Sequence, residues 1–189
     1  MRSTGDSRFP HLVLGGCRSG KSCYAEQLIR ALKPPYFYIA TARILDEEME
    51  QRVNEHRRRR GTEWRTLECP LELAATLKAL KNDNSPVLVD CLTAWLSNLL
   101  VEEDHLKARR AAFELCEVVP SLGYPLVLVA DEVGSGIVPE SPLARTFRDI
   151  AGLLNQRLAA VCPQVTLIVA GIPLRLKPQR HPSCSLEHP

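Results

Sequence analysis

The chain has 189 residues, of which 45% are hydrophobic and 24% are charged. This length is typical of one domain of about 100–200 residues, and the composition excludes a wholly disordered chain. No apolar run approaches the roughly 18–20 residues of a membrane span. The net charge of +2, from 24 Lys+Arg and 22 Asp+Glu, gives no basic field for nucleic acid. We therefore expect a single domain with no membrane span and no nucleic-acid partner.

The first ten residues are polar and lack the apolar core of a signal peptide. We expect residues 1–10 to be a loose terminus and the protein to be cytoplasmic. The seven cysteines agree with that compartment, because they are odd in number, scattered and without a CxxC pair. We expect them to be small, buried, reduced thiols with no role in a metal site.

Short apolar runs alternate with amphipathic stretches along the chain. Strands are predicted at 11–14, 36–40, 86–90, 125–131 and 165–170, and helices at about 20–32, 45–60, 71–81, 93–119 and 143–158. The fourth of these helices is expected to break near Asp104. Continuous apolar strands between helices indicate a mostly parallel sheet with helices on both faces. The fold class predicted is therefore α/β. Residues 174–189 hold three prolines and no periodicity, which predicts a loose C-terminal tail.

The sharpest local motif is a phosphate loop with the pattern G-x-x-x-x-G-K-S. It consists of Gly15, Gly16, Cys17, Arg18, Ser19, Gly20, Lys21 and Ser22. It follows a predicted strand and opens a predicted helix, which is the context that this motif requires. The backbone N–H groups and the helix N-terminus are expected to face a phosphate. Lys21 is expected to reach the β- and γ-phosphates, and Ser22 to ligate Mg²⁺. Residues 11–173 are therefore predicted to form a single P-loop NTP-binding domain.

A phosphate loop also requires an acidic residue at the end of a neighbouring strand, to hold the magnesium shell. Asp90 ends one predicted strand, and Asp131 with Glu132 ends another. Both positions lie at carboxyl ends of strands, where open α/β sheets bind their ligands. The alternative for each is an acid that caps the following helix. The phosphate loop indicates nucleotide binding but leaves the reaction open, since kinases, switches and transferases all use it.

A basic segment lies between the second and third predicted strands. Residues 52–65 hold six arginines against two glutamates. On a helical wheel of about 100° per residue, His56 lies on the apolar stripe, with Arg59 and Arg60 to either side. His56 is either a buried structural histidine or a nucleophile that faces a phosphate between charge-stabilising arginines. Neighbouring guanidiniums would keep more of the imidazole neutral, which is the form that attacks.

These residues together resemble the bifunctional adenosylcobinamide kinase / adenosylcobinamide-phosphate guanylyltransferase family of cobalamin biosynthesis. The phosphate loop resembles the family's GG-x-RSGKS pattern, and the resemblance covers about residues 11–172. Its blocks lie at 38–42, 46–49, 52–57, 64–68, 90–100, 132–139 and 147–156. The sequence departs from the family at three places, one of which is the tail after Pro173, which extends past the family core. Glu55 precedes a single His56 where some relatives have two adjacent histidines, and Asp131 stands where Asn is usual and adds a negative charge.

The resemblance implies two reactions. The first transfers the γ-phosphoryl group of ATP or GTP to the aminopropanol hydroxyl of adenosylcobinamide. In the second, a histidine attacks the α-phosphate of GTP and releases pyrophosphate. The resulting guanylyl-histidine passes GMP to adenosylcobinamide phosphate, which gives adenosylcobinamide-GDP. The family is also a homo-oligomer, usually a trimer.

The family's functional residues carry over by position. The nucleophile falls on His56, and Lys21 is expected to be catalytic as well. The nucleotide contacts fall on the phosphate loop and on Ala40, Thr41, Ala42, Arg57, Arg58, Arg59, Arg60, Glu68 and Asp90. Ser22 and Asp90 are expected to hold Mg²⁺, directly or through water.

Two alternatives remain open from the residues alone. One is a P-loop kinase of another small metabolite, with a purely structural His56. The other is a nucleotide-dependent switch whose purpose is to bind a partner. A covalent guanylyl adduct would separate the first function from both alternatives, and cobinamide-dependent turnover of nucleotide would separate an enzyme from a switch.

Overall fold

The computed structural model describes residues 8–43 and 60–178. Its strands are β1 His11–Gly15, β2 Tyr36–Ala40, β3 Trp64–Glu68, β4 Val87–Asp90, β5 Leu126–Asp131, β6 Gln164–Val169 and β7 Ile172–Lys177. Its helices are α1 Lys21–Arg30, α2 Leu73–Ala79, α3 Leu92–Glu102, α4 His105–Val118 and α5 Pro142–Val161. Short 3-10 turns, Leu80–Asn82 and Val119–Ser121, follow α2 and α4. The helix predicted at 45–60 lies outside the described residues except for Arg60.

The strands form one seven-stranded sheet in the order β3-β2-β4-β5-β1-β6-β7. Neighbouring strands are parallel except β6 and β7, which are antiparallel. The side chains of β1 alternate between the two faces of the sheet. Leu12 and Leu14 join the larger core under α2 to α5, whereas Val13 packs with Ala25 and Ile29 of α1 on the other face. The predicted α/β fold, with a mostly parallel sheet covered by helices on both faces, is confirmed.

The predicted break near Asp104 is confirmed, because α3 ends at Glu102 and α4 begins at His105. The Asp104 carboxylate accepts hydrogen bonds from the backbone N–H groups of Leu106 and Lys107, at 2.8 and 3.0 Å. This side chain therefore caps the new helix and satisfies donors that have no partner within the helix. Within the described part of the chain, no helix is long and apolar enough to cross a membrane.

Both edge strands differ from the sequence expectations. β3 was not predicted because only its first residue, Trp64, is buried, so it has no continuous apolar run. The predicted loose tail begins inside β7, which pairs with β6 up to Lys177. A two-residue turn at Ala170 and Gly171, with φ of 50° and 80°, reverses the chain between β6 and β7. The Lys177 ammonium donates to the carbonyls of Ala159 and Ala160 at the end of α5, which anchors the strand. Residues 179–189 of the predicted tail lie outside the described residues.

Candidate active site

The phosphate loop connects β1 to α1 on the strand–turn–helix frame that the motif requires. Gly20 has φ of 96°, a left-handed conformation that favours glycine. Gly15 is required for space, since a Cβ there would lie 2.5 Å from Ser19 Oγ and 2.8 Å from the carbonyl oxygen of Ile168. The backbone N–H of Gly171 donates to the Ser19 carbonyl at 2.9 Å. The turn between β6 and β7 therefore supports the loop from the side.

Lys21 meets an acid at the end of the adjacent strand. Its Nζ lies 2.5 Å from Asp131 Oδ1 and donates to the Gly16 carbonyl at 3.1 Å. Asp131 is in register with Gly15 because β5 pairs directly with β1. Its backbone N–H donates to Thr93 Oγ1 at 2.7 Å, and its carbonyl accepts from Asn155 Nδ2 at 3.1 Å. Two helices thus hold the backbone of Asp131, and its carboxylate contacts the lysine of the phosphate loop.

Asp90, the other candidate acid, ends β4, which is separated from β1 by β5. Its Oδ2 accepts a hydrogen bond from the Tyr38 hydroxyl at 3.2 Å. Burial, and then the charge of Asp90, raise the pKa of Tyr38 far above its usual range, so the phenol stays a donor. The Arg60 guanidinium lies 3.3 Å from the centroid of the Tyr38 ring, and Arg60 is only 4% exposed. This distance is well within the range of a cation–π contact.

Cys91, the residue after β4, lies close to the charged groups of Asp90, Asp131 and Lys21. Burial, and then the charge of Asp90, raise the pKa of the Cys91 thiol to about 11, and the charges of Asp131 and Lys21 also act on it. The Cys91 sulfur accepts a hydrogen bond from the backbone N–H of Ala94 at 3.4 Å and so caps α3. A thiol with so high a pKa is protonated and poorly reactive at neutral pH, which leaves it a structural role. The prediction that the cysteines are buried is confirmed for Cys69, Cys116 and Cys162 but wrong for Cys17 and Cys23, which lie on exposed parts of the phosphate loop and of α1.

The segment 40–42 is held at the same edge by hydrogen bonds. Thr41 is fully buried, and its hydroxyl donates to the Cys91 carbonyl at 2.6 Å. Asn98 Nδ2 donates to the carbonyls of Thr41 and Pro70 at 2.7 and 3.1 Å. Asn98 lies in the block 90–100 of the family resemblance, and no role was predicted for it. A signal was present in the sequence, since Asn98 is a polar side chain in the otherwise largely apolar α3.

Glu68 and Asp90 flank the end of β2. Ala40 is in register with Glu68 of β3 on one side and with Asp90 of β4 on the other. Ala40, Glu68 and Asp90 therefore share the carboxyl edge of three neighbouring strands, which is where open α/β sheets bind ligands.

The family model described as cobinamide kinase / cobinamide phosphate guanyltransferase matches residues 11–176. The chain belongs to this family. Its similarity to curated members extends over nearly the whole of those proteins. It is 46% identical to the bifunctional adenosylcobalamin biosynthesis protein CobP of Pseudomonas aeruginosa, over 88% of this chain and 96% of that protein. It is 43% and 42% identical to the proteins named CobU of Salmonella typhimurium and Escherichia coli, over 88% of this chain and 98% of each.

Among solved structures, a KaiC-like protein of Pyrococcus horikoshii overlaps 82% of this chain and 68% of its own, at 14% identity and a TM-score of 0.47.

The family predicted from the sequence is confirmed by the family model and the curated relatives. So is the predicted class of enzyme, a cobinamide kinase and cobinamide phosphate guanylyltransferase.

For this cobinamide enzyme, the predicted nucleophile His56 lies outside the described residues, together with Arg57, Arg58 and Arg59. Arg60 is the first residue after that gap, and its carbonyl accepts a hydrogen bond from Arg30 Nη2 at 3.2 Å. Arg60 itself, four residues after His56 in the sequence, lies beside Tyr38.

The donors available for Mg²⁺ fit an ion that arrives with a nucleotide. Within 8–43 and 60–178, no group of three or more His, Cys, Asp or Glu side chains could hold a metal ion. Mg²⁺ is usually bound by one or two carboxylates, several waters and substrate phosphates. The Ser22 hydroxyl at the start of α1 and the carboxylate of Asp90 belong to this class of ligand, so the residues present suit magnesium as a nucleotide complex.

Proposed function

We propose that this cobinamide enzyme catalyses both reactions on one phosphate loop. It phosphorylates the aminopropanol hydroxyl of adenosylcobinamide with ATP or GTP, and it then transfers GMP from GTP to adenosylcobinamide phosphate. The observation that carries this proposal is the phosphate loop itself, in which Lys21 sits at the strand edge that also holds Asp90 and Asp131. The corrinoid substrate class follows from the family.

In the kinase reaction the residues of the chain position groups and neutralise charge. The N–H groups of the phosphate loop and the N-terminus of α1 would cradle the triphosphate, and Lys21 would leave Asp131 for the β- and γ-phosphates. We assign the Mg²⁺ of the nucleotide to Ser22 and Asp90, where the ion would supply further positive charge. Phosphoryl transfer has a loose transition state, so this positioning supplies most of the catalysis.

In the guanylyl transfer, we propose that His56 is the nucleophile. Its imidazole attacks the α-phosphorus of GTP, so that a P–N bond forms while the bond to pyrophosphate breaks. A phosphate oxygen of adenosylcobinamide phosphate then attacks the same phosphorus, and the P–N bond breaks to release the histidine. The P–N bond is reactive enough for GMP to be passed on.

The four consecutive arginines divide between two roles. We assign phosphate contact to Arg57, Arg58 and Arg59, where positive charge would stabilise the transition state. Arg60 has its guanidinium over the Tyr38 ring, and Tyr38 donates to Asp90. Arg60 therefore suits a role in holding this edge of the site in place. The contacts to the nucleotide at the same edge would come from Ala40, Thr41, Ala42 and Glu68.

The test is covalent labelling with GTP. α-Labelled GTP should leave label on the protein and γ-labelled GTP should leave none, and the adduct should be labile in acid and stable in alkali. His56→Ala should abolish the adduct and the guanylyl transfer, whereas the kinase reaction should survive in part because it needs no covalent intermediate. His105→Ala, at an exposed position of α4, is the matched control and should label fully.

Three results would contradict the proposed function. Label that persists in His56→Ala would exclude His56 as the nucleophile. Absence of any adduct in the wild type, with cobinamide-dependent turnover retained, would leave a kinase alone. Nucleotide turnover that does not depend on cobinamide would favour a switch.

We also propose that the enzyme is a cytoplasmic homotrimer. The support within the described residues is the edge strand β7, where Ile172, Leu174 and Leu176 are 66%, 52% and 42% exposed in the single chain. Exposed apolar side chains on an edge strand favour burial against another chain. Sedimentation of the purified protein should give three copies of the 21.1-kDa chain, and a monomer would contradict the proposal.

A further inference from the structure

The lysine of the phosphate loop is already engaged by an acid. Lys21 Nζ lies 2.5 Å from Asp131 Oδ1, and the two side chains are 11% and 22% exposed. An ion pair that is mostly shielded from water is screened less than a surface pair. The ion pair between Lys21 and Asp131 must therefore break before Lys21 can bind the phosphates of a nucleotide.

The backbone of Asp131 is held beside the phosphate loop. Its backbone is held by Thr93 from α3 and by Asn155 from α5. The backbone N–H of the next residue, Glu132, donates to the carbonyl of Gly15 at 3.1 Å. When Lys21 moves to the phosphates, the carboxylate of Asp131 stays beside the loop as a second negative group.

We propose that Asp131 is a positioning residue that holds Lys21 in the nucleotide-free enzyme and competes with the phosphates for it. The inference rests on the proposed binding of nucleoside triphosphates at the phosphate loop. Its consequence is that this chain binds triphosphate more weakly than the same loop would beside a neutral residue. Asp131→Asn is the direct test, because it keeps the shape of the side chain and removes the charge.

The experiment is isothermal titration with α,β-methylene-GTP, whose α-phosphorus cannot lose pyrophosphate, with EDTA present and again with Mg²⁺. In EDTA, Asp131→Asn should bind the analogue about tenfold more tightly than the wild type, the scale of one charge-assisted contact. Glu117→Gln removes the same charge from an exposed position of α4 and should leave the dissociation constant within about twofold of wild type.

The route through the lysine is tested by a double-mutant cycle. In a Lys21→Met background, Asp131→Asn should tighten binding by less than about threefold, because the contact for which the phosphates compete is gone. Asp131→Ser provides the same comparison if the Asn variant does not fold.

Three outcomes would overturn the inference. An Asp131→Asn variant with unchanged or weaker binding excludes competition. Equal tightening in the wild-type and Lys21→Met backgrounds would mean that Asp131 repels the phosphates directly and does not act through Lys21. A wild type that binds no analogue even with Mg²⁺ would overturn the proposed function and this inference with it.

Discussion

His11 makes the stability of the nucleotide-binding sheet depend on pH. It begins β1, is 6% exposed, and its Nε2 lies 2.8 Å from the hydroxyl of Thr166 on β6. Burial, and then the positive charge of Arg175, lower the pKa of His11 from 6.5 to about 4. The folded protein therefore keeps this imidazole neutral at pH values where the unfolded chain takes up a proton.

The sign and size of the effect follow from linkage. Between pH 6.5 and about 4 the unfolded state binds more protons at this position, so the free energy of unfolding falls as the pH is lowered through that window. Above about pH 6.5 both states keep His11 neutral, so none of this free energy of unfolding is lost. At about 1.4 kcal/mol for each pH unit, the full loss is on the order of 3 kcal/mol, of which about 2 kcal/mol is reached by pH 5.

Urea unfolding at pH 7.5 and pH 5 measures this loss. His11→Gln keeps an amide that can donate to or accept from the Thr166 hydroxyl, and it cannot titrate. It should therefore lose about 2 kcal/mol less than the wild type between the two pH values. His105→Gln, which changes an exposed histidine, should retain the full pH dependence of the wild type. Equal losses in His11→Gln and wild type would refute the argument, because they would mean that the buried imidazole titrates as it does in the unfolded chain.

Two further predictions concern the edge of the site. Ser22→Ala and Asp90→Asn should each raise the Mg²⁺ concentration needed for half-maximal kinase activity, because the nucleotide-bound ion would lose a direct or water-mediated ligand. An unchanged magnesium titration in both variants would contradict the assignment of Ser22 and Asp90 to the ion. Asn98→Leu should destabilise the fold by about 2–4 kcal/mol, since it leaves two carbonyl oxygens without their donor, and should raise the KM for nucleotide through Thr41. Wild-type unfolding and KM in this variant would exclude Asn98 as the support of that segment.

The sequence predicted the centre of the sheet better than its edges. β1, β4 and β5 are buried on both faces, so each is a continuous apolar run that is visible without knowledge of its neighbours. β3 and β7 border the sheet, and most of their side chains are not fully buried. Their pairing depends on the strands they adjoin, which apolar periodicity does not specify.

The site shows the same division between local and long-range information. The phosphate loop was predictable because its chemistry is contained in eight consecutive residues. Which acid meets Lys21 was not predictable, since Asp90 and Asp131 both end apolar strands and only the strand order places β5 beside β1. The hydrogen bond from Asn98 to Thr41 spans 57 residues of sequence, and its existence depends on the packing of α3 against the end of β2.

The contact between Gly171 and Ser19 joins the phosphate loop, near the start of the chain, to the last hairpin that the structure describes. A Cβ at Gly20 would lie 3.5 Å from Gly171 Cα, and the Ile168 carbonyl forms the wall that excludes a side chain at Gly15. The phosphate loop thus ends in the sequence at Ser22. Its conformation, however, also depends on residues 168–171, which reach it only after β6 has paired with β1 and the chain has turned. During synthesis, the motif would leave the ribosome almost 150 residues before the backbone that shapes it, so competence to bind nucleotide would arise late, once nearly the whole domain has been made.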